Sequence, residues 1–129
     1  MTYSLDALKK NRVSALLYGG TEADRRALAV AATQELDGAG LIEAKDAQAL
    51  ERAVGNARAV VYVPDVTVIP AVTQRLLVKV LREREERPKL VLGLPTTPET
   101  AAQKGLLTED LRFWLTHSTV DVKARASRR

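Results

Sequence analysis

The fourteen residues from Val13 to Arg26, VSALLYGGTEADRR, decide how this chain is read. The apolar run Val13 to Tyr18 predicts a buried strand, and the pair Gly19-Gly20 predicts a sharp turn after it. Thr21 then offers a helix N-cap with Asp24 three residues on, where a carboxylate can reach back to the cap. Ala27, Leu28, Ala31, Ala32 and Leu36 recur at helical spacing, so the helix is expected to continue to about Asp37. The segment is a strand, a glycine turn and a helix, the first unit of an α/β fold.

Outward from it the same alternation continues. Gly38 and Gly40 break the helix, Leu41 to Ala44 form a short strand, and Asp46 caps a helix carrying Leu50, Ala53 and Val54 that Gly55 and Asn56 end. Ala59 to Val63 is a second clear buried strand. Pro70 suits the first turn of a long helix, with Val72, Leu76, Leu77, Val80 and Leu81 on its inner side and Arg75, Lys79, Arg82 and Glu83 in solvent. The mixed run Arg82 to Arg87 is its solvated last turn and Pro88 its stop. Leu90 to Leu94 is the third clear strand. Short helices begin at Thr97-Pro98-Glu99 and at Thr108, the latter with Leu111 and Leu115 four apart, and Ser118 to Val122 is the last strand. Strands alternating with helices predict a three-layer α/β sandwich around a central parallel sheet of about five strands, with a P-loop NTPase-like core.

A glycine turn between a strand and a helix is where a phosphate-binding loop stands: backbone amides and the helix N-terminus hold phosphate, and a lysine neutralises it. The pattern required is GxxxxGK[ST]. From Gly19 this chain reads GGTEADRR, so Asp24 stands for the second glycine, Arg25 for the lysine and Arg26 for the hydroxyl that binds Mg²⁺. Only Gly19 fits. Asp24 and Glu22 add negative charge where phosphate would lie, and the guanidinium of Arg25 does not reproduce a compact ammonium. The simpler reading is a strand-to-helix turn capped by Thr21. After the Val60 to Val63 run stand Pro64 and Asp65, where such a site needs paired carboxylates for Mg²⁺, and Asp65 is read as the cap of a turn.

Composition narrows the classes further. The chain has 129 residues, 46% of them hydrophobic, enough for one core; residues 1–122 are expected to form one domain and 123–129 a basic tail. No cysteine is present, which excludes disulfides and thiolate sites, and one histidine excludes a multi-histidine metal centre. Lys123, Arg125, Arg128 and Arg129 account for the whole formal charge of +4, leaving 16 basic against 16 acidic residues before them. The body is therefore no polybasic surface. No apolar run is long enough for a membrane span or has signal-peptide form, so a cytoplasmic location is expected.

Taken together, these segments resemble the AAA+ domain of the bacterial enhancer-binding proteins that activate sigma-54 RNA polymerase, over about Val13 to Val122. Ile69-Pro70, Gln74, Leu77, Val78, Lys79, Val80, Leu81, Arg82 and Glu83 stand in register with the family's Leu-Pro turn and its helix of the type QxKLLRVLQE. Gly105 to Leu115 looks like the family's GRFREDLYYRL, with Glu109, Asp110, Leu111 and Leu115 matching directly. Such a resemblance implies an ATP-binding ring protein. The departures put that activity in doubt. Pro64 replaces the first carboxylate of the DE pair, Thr108 and Trp114 replace arginines that lie at the family's subunit boundary, and Pro95-Thr96-Thr97 stand where an asparagine is expected. No GAFTGA sequence, the family's grip on the sigma factor, precedes the Ala59 strand, and after Val122 too little chain remains for the family's helical lid.

The expectation is a degenerate, non-catalytic AAA+-like domain, without a cofactor or metal, that regulates a partner protein as inhibitor, chaperone or scaffold. Arg112, Phe113 and Trp114 are the candidate partner surface, because tryptophan is enriched at interface hot spots. The simpler reading of the two aromatics is that they complete the core. A nucleotide sensor contacting phosphate through Gly19, Gly20 and Arg25 without hydrolysis is the alternative. Nucleic-acid binding by the tail is a weaker one, lacking interleaved aromatics. Self-association is left open. His117 and Ser118, neighbours on an expected strand, point to opposite faces and make no nucleophile-base pair.

Overall fold

In the computed structural model, residues 13–35, 40–82 and 88–122 are described. Five strands form one parallel sheet in the order β2-β3-β4-β1-β5: β1 is Ala15–Tyr18, β2 Leu41–Glu43, β3 Val60–Val63, β4 Lys89–Gly93 and β5 Thr119–Asp121. Five helices connect them: α1 Glu22–Glu35, α2 Ala47–Ala53, α3 Ala71–Arg82, α4 Pro98–Gln103 and α5 Glu109–Trp114, with short 3₁₀ turns at Val66–Val68 and Thr116–Ser118. The three-layer α/β architecture expected from the alternation is the one observed.

Strand alternation divides the core into two halves. Leu16, Val61, Val63, Leu90 and Leu92 face one side, where α2 to α5 supply Leu50, Leu77, Leu81, Ala101, Leu111 and Leu115. Ala15, Leu17, Val60, Tyr62, Val91 and Val120 face the other, against Ala29 and Leu28 of α1. Parallel strands buried on both faces explain why the sequence shows unbroken apolar runs rather than alternation.

Several boundaries differ from the sequence reading. β4 begins on Lys89, one residue before the apolar run; this lysine is fully buried and its Nζ donates to the Val13 carbonyl at 2.5 Å. The inner side of α3 is rotated: Val72 is exposed, while Thr73, Gln74 and Val78 are buried beside Leu77, Val80 and Leu81. A buried glutamine is tolerated there because its amide is satisfied. Gln74 Nε2 donates to the carbonyls of Ile69 and Leu106, each at 2.9 Å, and Oε1 accepts from Thr108 N at 2.9 Å. It ties the turn before α3 to the connection between α4 and α5. His117 and Ser118 lie in the 3₁₀ turn before β5 and not on that strand, with His117 exposed and Ser118 buried. The expected end of the first helix at Leu36 and Asp37, Gly38, the residues 83–87 and the tail 123–129 lie outside the described residues.

The chain leaves β1 through α1 toward the β2 edge, and leaves β4 through α4 and α5 over β1 to β5. Connections diverging from neighbouring strands open a crevice at their carboxyl ends, the usual ligand position in open α/β sheets. Gly93 closes the floor of this region tightly: a Cβ there would stand 2.5 Å from the Pro64 carbonyl oxygen.

Candidate functional site

The β1–α1 loop stands at that crevice, and its two glycines both have left-handed backbones, φ 76° at Gly19 and 61° at Gly20. An L side chain is disfavoured at each, so the pair is required by the turn itself. Thr21 caps α1: its Oγ1 accepts from Asp24 N at 3.1 Å, and Asp24 Oδ2 accepts from Thr21 N at 2.9 Å. This is a reciprocal capping box with aspartate in the glutamate position. The two hydrogen bonds with Thr21, and then the nearby Arg25 charge, hold the Asp24 carboxyl below its ordinary range. The carboxylate lies over Gly20, 2.9 Å from where a Cβ would be.

Arg25 turns back under the loop. Although charged, it is 6% exposed; one guanidinium nitrogen donates to the Gly19 carbonyl at 3.0 Å and to the Gly20 carbonyl at 3.3 Å. Its Nε is buried with no hydrogen-bond partner. Glu22 accepts from the Tyr62 hydroxyl at 2.6 Å, joining the first turn of α1 to β3. Burial, followed by that carboxylate, pushes the Tyr62 hydroxyl strongly up, partly offset by Arg25 and Arg26. Arg26 pairs with Glu43 on β2, which Lys45 approaches at 3.5 Å. Every charged side chain between Gly19 and Arg26 thus has a partner inside the chain.

The position after β3 is equally occupied. Asp65 caps the Val66–Val68 turn, its Oδ1 accepting from Thr67 N at 2.9 Å and from Thr67 Oγ1 at 2.5 Å, as the turn reading expects. Pro64 and Asp65 are brought to the same end of the sheet as Gly19 and Gly20 by β3 and β1, with β4 between them. Among the described residues no cluster of three or more histidine, cysteine or acidic side chains could hold a metal ion.

The second candidate region, on α5, corrects one expectation. Phe113 is 75% and Trp114 47% exposed, so neither completes the core. The helix buries Leu111 and, just past its end, Leu115; positions 113 and 114 fall on its outer side. The two rings pack edge to face with centroids 6.4 Å apart. Arg112 turns elsewhere, toward Glu99 at 3.8 Å and Glu109 at 4.0 Å. Trp114 lines a cleft of about 410 Å³ together with Arg82 of α3, Val13, Ser14, Leu81, Leu115 and Ser118. From Arg82 a second cleft, about 550 Å³, continues between α3 and α5, lined by Arg75, Val78, Lys79 and Asp110.

No protein-family model matches this chain, and no curated protein matches it in sequence. Solved structures do. NtrX from Brucella abortus superposes with a TM-score of 0.69 at 18% identity, over 92% of this chain and 34% of that one. The same protein in complex with ADP gives 0.66 at 18%. The P-loop NTPase domain of the sigma-54 transport activator from E. coli gives 0.65 at 16%, over 91% of this chain and 87% of that one. The chain has a sigma-54 activator-like AAA+ fold. It spans about a third of the length of NtrX. Within this AAA+ fold the β1–α1 loop occupies the P-loop position, so the self-paired residues from Gly19 to Arg26 stand where the fold offers phosphate its cradle. No helix among the described residues is long and apolar enough to cross a membrane.

The sequence did not single out Tyr62 or Glu43, and it offered Gln74 only as a match in the family register, not as a buried tie. Tyr62 left a signal, since a tyrosine inside a valine run must find a partner for its hydroxyl, though not which one. Glu43 left none.

Proposed function

We propose that the chain is a non-catalytic, pseudo-ATPase domain that regulates another protein by binding it. The observation carrying this reading is the closed pairing of the loop: Glu22 to Tyr62, Asp24 to Thr21, Arg25 to the glycine carbonyls and Arg26 to Glu43. Phosphate would have to displace Asp24 from the Thr21 amide and lie beside two carboxylates, at unfavourable Coulomb energy. The lysine, the hydroxyl for Mg²⁺ and the paired carboxylates of a hydrolytic site are replaced by Arg25, Arg26 and Pro64-Asp65. An AAA+ scaffold kept without that chemistry supports a binding role, and the exposed aromatic pair on α5 is the surface that favours a protein partner.

Two measurements test this. A variant restoring the loop pattern, Asp24→Gly with Arg25→Lys and Arg26→Ser, is expected to release no phosphate from ATP above the wild-type background, because the acidic pair is missing as well. A tagged chain purified from its own cells is expected to bring a protein partner in stoichiometric amount. Hydrolysis by the restored variant, or purification of the wild type alone, would contradict the proposal.

A further inference from the structure

The two connected clefts between α3 and α5 form one groove with a distinct chemistry at each end. On α3, Arg75, Val78, Lys79 and Arg82 follow the i, i+3, i+4, i+7 spacing of one helix stripe, with three cations over ~10 Å around one valine. On the facing helix, Asp110 and Trp114 stand four residues apart, and Trp114 closes the end together with Val13 and Leu115. Among the described residues no ion pair forms at Arg75, Lys79, Arg82 or Asp110. Among the described residues the groove therefore offers positive charge outside any ion pair along one wall, Val78 and Leu81 in its lining, and an aromatic end.

We propose that this groove docks an acidic amphipathic helix of a partner protein. Its carboxylates, spaced by three and four residues, would lie along Arg75, Lys79 and Arg82, and one bulky apolar residue would fill the cleft beside Trp114. The inference rests on the protein-binding reading above and names the chemistry of the partner. Two neighbouring helices with a trough between them are the geometry that receives a third helix. The complementary charges would steer and orient it. Nucleic acid fits less well, because Asp110 sets a carboxylate on the facing wall where a phosphate backbone would run.

Trp114 is the chain's only tryptophan, so its fluorescence reports directly on the end of the groove. The probe is a synthetic amphipathic helix of about 16 residues, ~24 Å long, with glutamates at i, i+4 and i+7 and leucines on the adjoining stripe. Saturable quenching or a blue shift is expected, weakening as salt rises from about 50 to about 300 mM. The exposed double variant R75E/K79E is expected to bind about tenfold or more weaker and to regain binding to a peptide whose glutamates are replaced by lysines. Equal binding of a glutamine-substituted peptide, unchanged affinity of the variant, or tighter binding of a DNA oligonucleotide than of the acidic peptide would overturn the proposal. Purification from source cells separates the two levels of the argument. A partner retained equally by wild type and R75E/K79E would overturn the groove and leave the protein-binding reading standing. No partner for either would overturn the reading beneath it.

Discussion

The β1–α1 loop and the α3–α5 groove treat charge in opposite ways. In the loop, Glu22, Asp24, Arg25 and Arg26 are each engaged by a group of the same chain, and Arg25 is buried in the process. In the groove, Arg75, Lys79, Arg82 and Asp110 form no ion pair among the described residues, and Trp114 lies half exposed at its end. A fold can place a loop at the customary ligand position and engage each of its charges in internal pairing. The proposed docking site is instead the place where, among the described residues, charge is left outside any ion pair.

The comparison can be broken first at the base of the groove. Gln74→Ala removes the side chain that joins the turn before α3 to the connection before α5, leaving the Ile69 and Leu106 carbonyls and the Thr108 amide without it. A loss of ~2–4 kcal/mol is expected in urea unfolding, with hydrogen exchange quickening at Thr108 before it does in α1. A loss confined to the loop would show that the two regions are not separate. In the loop, Thr21→Ala removes half of the capping box and should cost about 1 kcal/mol, read as a lower urea midpoint at unchanged slope.

Alkaline titration sharpens the loop side. The Tyr62 hydroxyl is raised in the folded chain by burial and by Glu22, so its contribution to stability is complete below about pH 10, the unfolded value, and falls as pH rises beyond it. Tyr62→Phe should flatten that decline relative to wild type. At the acid end, the lowered Asp24 carboxyl contributes above about pH 4 and loses its contribution as pH falls further, so Asp24→Asn should reduce the acid slope. The smallest effect belongs to the groove: reversing Arg75 and Lys79 to glutamate should move the urea unfolding free energy by less than about 0.5 kcal/mol, since neither forms an ion pair among the described residues. A larger loss would mean those charges already have work inside the fold.

Much of the architecture could be read from residues. The buried runs that become β1, β3 and β4, the caps Thr21, Asp46, Thr97 and Thr108, and the cap role of Asp65 rest on local signals, and local physics decided them. Long-range partners were not legible. Gln74 is polar at a position where helical spacing offered Val72 and Leu76 instead, and only carbonyls brought in from the Ile69 turn and from Leu106 make its burial tolerable. Arg25 read as the stand-in for the phosphate-loop lysine, because nothing local shows that both glycine carbonyls turn toward it. The core reading of the aromatics on α5 failed for a related reason. Hydrophobicity predicts burial on average, but Leu111 and Leu115 already fill the inner side of that short helix.

The central claim is that the loop is closed to nucleotide, and titration of the wild-type chain with Mg²⁺ and ATP or ADP tests it most directly. A ligand held with a dissociation constant near 0.1 mM would add ~2 kcal/mol at ~5 mM and raise the melting temperature by several degrees. The account predicts no saturable heat in calorimetry and no saturable rise in melting temperature with either nucleotide. A saturable rise that depends on Arg25, disappearing in Arg25→Ala, would contradict it.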